Sequence, residues 1–448
     1  MATTYLLIFV LLSHILFFKK IIFKWNVFGV FFIATFTFST FGILVFPFLQ
    51  TYLSHVFWTF KLQHITSEII VKTQIIAVLG MLLVLYSYVF GLLLLKGKVV
   101  VINHFKFDGE IKENLNKLNF QFIFILITVF LSIYLFLKSK VLIIGISDGL
   151  IGRNPTAILN SRRAITSSYF YVIITYNLLP FLSIVSYYLF LKKRTLSRRI
   201  LFYAAFAVTV LLLLLLFQKR PLILFFLSFL LSAFIFKKEF KIKKNKKPKT
   251  KKRTRRKYII YGLLLFSLLM LLYYLTTNYK FDNIYQAIKK LSEVSLLRIF
   301  GRLTLPSFFY VHYFPKIESH YHISNIGMLT KFLPIDFYPD NKILFNYYSI
   351  NKNGGSLAIN SIFDFYGAFG HYGLVIGSFI LGFFISMMDV FLNKLEKNGV
   401  NLIFIIFCFV FAYYLSQASL AKSLMGYGFL FFVMIWIFLQ KGFKIKMR

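Results

Sequence analysis

The chain has 448 residues, is 59% hydrophobic and 20% aromatic, and carries a formal charge of +38. So much apolar surface over that length excludes an ordinary soluble enzyme, and apolar runs long enough to cross a bilayer recur from end to end. The charge does not imply nucleic acid, because the basic residues sit mostly in connectors between apolar runs, where membrane orientation accounts for them. Cys408 is the one cysteine, so neither a disulfide nor a thiolate metal site is expected.

The first apolar run, about 4–18, is followed by Lys19, Lys20 and Lys24. It has no basic leader and no small-residue cleavage site, so it reads as a span and not as a signal peptide. The second run, about 27–47, is expected to stop near Pro47. A connector over 48–68 carries Tyr52 and Trp58 as interface anchors. Span three covers about 70–95, a mixed-charge connector runs over 96–119, and span four covers about 120–137. The connector 138–165 holds Arg153, Arg162 and Arg163 among Gly, Asn and Pro turn residues.

Spans five, six and seven fall at about 168–191, 200–217 and 221–236, with Lys219 and Arg220 in a tight turn before Pro221. The block 237–257 contains a single acid, Glu239, and repels itself too strongly to fold alone. Placed in the cytoplasm, it fixes the rest by alternation: N-terminus outside, C-terminus inside, and 276–360 as a large extracytoplasmic loop. Span eight is about 258–275, span nine about 362–389, span ten about 401–417 and span eleven about 427–439. The expectation is a single all-α transmembrane domain over 1–448, polytopic, with about eleven spans in a range of ten to thirteen.

Within the outer segment, 280–300 has apolar positions at helical spacing, as in a helix lying on the membrane. The part 301–356 is rich in Gly, Pro, Asn, Tyr and His and reads as loop over a polar substrate. Span nine begins polar, so 357–390 has the length to start as a reentrant or extracellular helix. Gly367, Gly370, Gly373, Gly377 and Gly382 make either one closely packed face or a bend.

Cations at the outer face need a reason beyond orientation. On this topology Arg153, Arg162, Arg163, Lys219, Arg220, Arg298 and Arg302 all fall there, and Lys422 lies in a short outer turn. Guanidinium groups match a diphosphate with paired donors; contact with lipid head groups is the plainer alternative. Asp364 stands among aromatic residues at the start of an apolar span, where an ionisable group is costly and takes a partner. It reads as a general base or as the partner of Arg298, Arg302 or Arg220. His371 lies seven positions on, about two helical turns, and is the second base candidate. His312, His320 and His322 are further polar contacts; a metal site from His320 and His322 alone is a weak pattern. Asp336 and Asp340 read as turn residues, with contact to sugar hydroxyls as the alternative.

Three stretches carry a resemblance: KRP at 219–221, FGRLTLPSFFYVHYFP at 300–315, and GGSLAINSIFDFYGAFGHYGLVIGSFILG at 354–382. With the overall layout, they resemble the Wzy-type oligosaccharide repeat-unit polymerases of bacterial O-antigen and capsule synthesis. The family often has Glu where this chain has Asp364, and a small residue where it has Lys219. The resemblance implies a metal-independent, cofactor-free, GT-C-like glycosyltransferase of the plasma membrane. It would join undecaprenyl-diphosphate-linked oligosaccharides within membrane lipids, beside a flippase and a chain-length regulator, and without nucleic acid. Asp364, His371, Arg220 and Arg302 would then be catalytic. Arg153, Arg162, Arg163, Lys219, Arg298, His312, His320, His322 and Lys422 would bind substrate or diphosphate. An O-antigen ligase-like transferase and a lipid-linked glycan flippase or transporter are the rival expectations.

Overall fold

The computed structural model describes residues 1–56, 60–105, 147, 157, 160, 173–215, 219–242, 267, 285–286, 289, 303–326, 330, 334–350, 357–396 and 398–441. Among them the architecture is helical, with one isolated bridge between Phe60 and Ser349. Among the described residues, five helical stretches are long and apolar enough to cross a membrane: Val27–Leu49, Ser67–Lys96, Ile174–Lys192, Leu196–Leu214 and Ser361–Lys394. Ala2–Phe17, Arg220–Phe236 and Gly399–Leu415 are shorter apolar helices. Expected span four, all of expected span eight but residue 267, the part 243–257 of the basic block and nearly all of 280–300 lie outside the described residues, while 237–242 continue a helix. The chain divides into two compact units.

The first unit comprises Met1–Lys106, Glu293–Leu395 and Phe411–Leu424. Its helices are α1 (Ala2–Phe17), α2 (Lys19–Ile22), α3 (Val27–Thr35), α4 (Phe41–Val56) and α5 (Ser67–Lys96). A π turn, Phe36–Thr40, links α3 to α4. The helix does not stop at Pro47 as expected but runs through it. Proline removes the N–H that the carbonyl four residues earlier would have received. Gln74 fills that gap from α5: its Nε2 lies 3.3 Å from the Ile43 carbonyl and 3.4 Å from that of Leu44. A freed carbonyl in an apolar span needs such a donor.

The spine of this unit is α5 packed in parallel on Ser361–Lys394. Gly80 faces Ile362 and Leu374, Gly382 faces Val84 and Ser87, and Gly91 faces Ser386. A Cβ at Gly382 would stand 2.3 Å from the Val84 carbonyl oxygen, so the two backbones approach as only glycine permits. Ser87 Oγ donates to the Phe379 carbonyl at 2.5 Å across the same seam. At the far end, Asp389 accepts from Val27 N at 2.8 Å, Phe28 N at 3.2 Å, Tyr88 OH at 3.0 Å and His104 Nε2 at 2.7 Å. A carboxylate thus satisfies the orphan amides that open α3.

The second unit comprises Phe107–Ser292, Glu396–Val410 and Met425–Arg448. It contains α6 (Leu179–Lys192, entered through a π turn at Ile174–Leu178), α7 (Leu196–Leu215) and α8 (Lys219–Ile242). Lys219, Arg220 and Pro221 do not form a connecting turn as expected; they are the first turn of α8, where proline lacks only an N–H that would go unpaired.

Two helices interrupt the stretch 301–356 read as loop: α9 (Leu305–Tyr313) and α10 (Asp340–Tyr348), both in the first unit. Every residue of α9 is buried, so aromatic packing overrides its loop-like composition. Then come α11 (Ser361–Lys394), α12 (Gly399–Leu415), whose two ends belong to different units, and α13 (Phe429–Lys441) in the second.

Candidate active site

α11 is two helical segments joined by a break. Asn360 caps the first, its side chain accepting from Phe363 N at 3.0 Å. The break falls at Phe369 (φ −138°, ψ 16°) and Gly370 (φ 63°, ψ −143°). Past it the chain turns sharply enough to bring Phe365 against Gly373 and Gly377: a Cβ on Gly377 would lie 2.3 Å from the Phe365 ring. Residues 371–394 then run on for about 36 Å at 1.5 Å per residue, enough to cross a bilayer. Asp364 lies in the short segment before the break.

That short segment ends with carbonyls that have no amide of their own helix to meet. The segment 320–322 supplies the donors. His320 Nδ1 is 3.0 Å from the Gly367 carbonyl, and His322 N–H donates to the Ala368 carbonyl at 2.9 Å. Tyr321 OH lies 2.8 Å from the Asp364 carbonyl. His320 and His322 therefore brace the break.

Asp364 itself is 8% exposed. Its Oδ1 accepts from Tyr321 OH at 2.9 Å and from Asn325 Nδ2 at 3.0 Å. Asp340, at the start of α10, is equally enclosed and accepts from Tyr310 OH. The charges of Asp340 and Lys422 are both felt at Asp364. Burial pushes the Asp340 carboxyl above the usual carboxylate range, against the pull of the Tyr310 hydroxyl, the Asn341 amide and Lys422. Burial and the nearby carboxylates push the phenols of Tyr310 and Tyr321 well up, so both stay hydroxyl donors. A third acid, Glu318, accepts from Tyr313 at 2.8 Å and Tyr338 at 2.6 Å, and the Tyr338 ring stacks on Tyr321 at 5.8 Å.

The remaining candidates fall in several places. His371 is exposed beyond the break, its ring 5.5 Å from that of Tyr366, so no continuous helix face joins it to Asp364. His312 Nδ1 is 2.5 Å from Tyr348 OH, and the His312 ring is 5.2 Å from that of His64. Burial, then the charges of His64 and Lys316, lower its tendency to protonate. Arg220 belongs to the second unit, its guanidinium 5.3 Å above the Tyr427 ring and Nη1 3.5 Å from that hydroxyl. Arg153, Arg162, Arg163, Arg298, Arg302 and the side chain of Lys219 lie outside the described residues.

Asp340 is a correction: it is a buried carboxylate and not a turn residue. The residues around it offered a clue, since an acid after Pro339 and ahead of apolar Leu344 and Tyr348 has the pattern of a helix start. Tyr321 is the member of HYH that meets the carboxylate, although its flanking histidines draw the eye. Glu318 and Asn325 carry no pattern that marks them in the sequence.

This arrangement can take a proton and hold a charge. Asp364 has a carboxylate oxygen, Oδ2, that receives no hydrogen bond among the described residues, and a cation, Lys422, stands nearby. Comparison with known proteins adds no identification: no family model, curated protein or solved structure matches the chain.

Proposed function

We propose that this protein is a membrane glycosyltransferase that polymerises lipid-diphosphate-linked oligosaccharide repeat units. The observation that carries the reading is Asp364: a nearly enclosed carboxylate, oriented by Tyr321 and Asn325, at the broken start of a bilayer-length helix. The resemblance of 219–221, 300–315 and 354–382 to Wzy-type polymerases supports it. The finer picture belongs to the same proposal: eleven spans in a GT-C-like arrangement, in the bacterial plasma membrane, with the N-terminus outside and the C-terminus cytoplasmic. The carrier would be undecaprenyl diphosphate, and a flippase and a chain-length regulator the partners.

On this reading Asp364 Oδ2 takes the proton of an acceptor hydroxyl on one lipid-linked unit. The freed oxygen attacks the anomeric carbon of the growing glycan, and the bond from that carbon to the lipid diphosphate breaks. The diphosphate leaves with the electron pair, and preorganised cations stabilise its growing charge. Arg220 and Arg302 are assigned that task, with Arg153, Arg162, Arg163, Lys219, Arg298 and Lys422 as further diphosphate contacts. His371 is the alternative base, and His312, His320 and His322 complete the polar surroundings.

The test is conversion of lipid-linked repeat units, extracted from the producing cells, by the purified protein in vesicles. The wild type should give a ladder of lengths. Asp364→Asn should lose at least about a hundredfold in rate, and Arg302→Ala should abolish the ladder while membrane insertion is unchanged. Product that forms only when a terminal acceptor is added would indicate a ligase. A second reading has its own observation: a broken helix carrying enclosed carboxylates is also the architecture of proton- or cation-coupled transporters. It predicts movement of the lipid-linked glycan between leaflets with no bond made.

A further inference from the structure

The segment 320–322 meets the short helix at three carbonyls, those of Gly367, Asp364 and Ala368, but only Tyr321 meets both the backbone and the side chain of one residue. Its single hydroxyl proton lies between the Asp364 carbonyl oxygen at 2.8 Å and Asp364 Oδ1 at 2.9 Å. A donor shared in this way fixes the side-chain rotamer relative to its own backbone. The phenol is itself held: Tyr338 stacks on it at 5.8 Å and Phe314 meets it edge-on at 5.3 Å. Ser324 N–H donates to the Tyr321 carbonyl at 3.1 Å, and Tyr338 N–H to the Ser324 carbonyl at 2.9 Å. Ring, backbone and carboxylate thus form one closed unit.

We propose that Tyr321 is the positioning residue of Asp364: its hydroxyl sets the direction of the free oxygen Oδ2 and stabilises the ionised carboxylate. The proposal rests on the reading of Asp364 as the base, but its test does not. Among the described residues, the titratable and charged groups facing Asp364 are Asp340 from α10, Tyr310 from α9, Lys422 from the segment before Leu424, and Tyr321 itself. Asp340 and Lys422 act through charge, in opposite directions. Tyr321 and Asn325 donate hydrogen bonds to Oδ1, and a hydrogen bond to a carboxylate oxygen favours its charged form.

The experiment is an infrared pH titration of the full chain in vesicles, with the Asp364 carboxyl band assigned by its loss in Asp364→Asn and separated from Asp340 by Asp340→Asn. Tyr321→Phe removes the donor and should move the Asp364 midpoint to higher pH by about one unit. Incorporation of 3-fluorotyrosine at 321, nearly the same shape with a more acidic hydroxyl, should move it to lower pH. Turnover of Tyr321→Phe should fall roughly ten- to hundredfold. A Tyr321→Phe midpoint equal to wild type, or the same shift for fluorotyrosine as for phenylalanine, overturns the positioning role. Full activity of Asp364→Asn would instead overturn the base assignment, whatever the titrations show.

Discussion

Two carboxylates on one helix have opposite fates, decided by their donors. Among the described residues Asp364 has two side-chain donors and one oxygen without any, whereas Asp389 has four donors and is fully buried. Two of the four are backbone amides at the start of α3, which have no other acceptor within their helix. Removing a partner from a buried ionic cluster leaves its other members desolvated and unpaired. Asp389→Ala should therefore cost about 3–5 kcal/mol, read as a lowered unfolding temperature in detergent. Asp389→Asn, which keeps an acceptor, should cost less, and a wild-type melting temperature for Asp389→Ala would refute the capping role. Asp364 is legible in the sequence because an acid beside aromatic residues at the head of an apolar run needs explaining. Asp389 sits just as oddly in SMMDVF, but its partners lie 362 residues away at Val27 and 285 away at His104. No local pattern announces a pairing of that separation.

At the scale of elements, the glycines of α11 were open to two readings, close packing or a bend, and both are present at different positions. Gly382 gives the close approach to α5, while Gly370 takes the positive φ that breaks the helix. Spacing alone does not say which glycine does which, because the break is set by the 320–322 segment that caps it. The same limit applies to Pro47, whose helix continues only because Gln74 faces it, and to α9, whose buried aromatics outweigh the loop-like composition around them. Gly370→Ala tests the break. At Gly370 the φ of 63° with ψ of −143° lies in a region essentially confined to glycine, which costs another residue roughly 1–3 kcal/mol, and here the new Cβ would also stand 2.8 Å from His320 Nε2. Gly97 is a reference for the milder case, since φ 67° with ψ −3° is the left-handed helical region and nothing lies within 4 Å of its Cβ position. Gly97→Ala should show a cost of roughly 1–2 kcal/mol with no clash. Gly370→Ala should be the more destabilised by thermal unfolding, and His320→Ala should relieve part of the difference. The same loss for Gly370→Ala with and without His320→Ala would remove the 320–322 segment from the account of the break.

At the scale of the molecule, the first unit has two distinct ends. α5 and α11 run in parallel, so Lys96 and Asp389 share one end, and the 320–322 segment and Asp364 share the other. The N-terminal basic residues join the first of these: Trp25 accepts from His104 N–H at 2.9 Å, and Asn26 Nδ2 donates to the Ile102 carbonyl at 3.3 Å. Lys19, Lys20, Lys24, Lys96 and Lys98 therefore lie near one membrane face. On the proposed orientation, with these cationic connectors in the cytoplasm, Asp364 would lie on the opposite, outward side. The second end has cations as well, Lys316 and Lys422 among them, so charge count alone leaves orientation to experiment. Cysteine labelling of intact cells decides it, with buried Cys408 first replaced by Ser to silence the background. Exposed Ser319→Cys should react with a membrane-impermeant maleimide without permeabilisation, and exposed Lys98→Cys only after it. The reverse pattern would place the enclosed carboxylates on the cytoplasmic side. A polymerase that receives flipped, lipid-linked units could not work there, whatever the behaviour of Asp364→Asn.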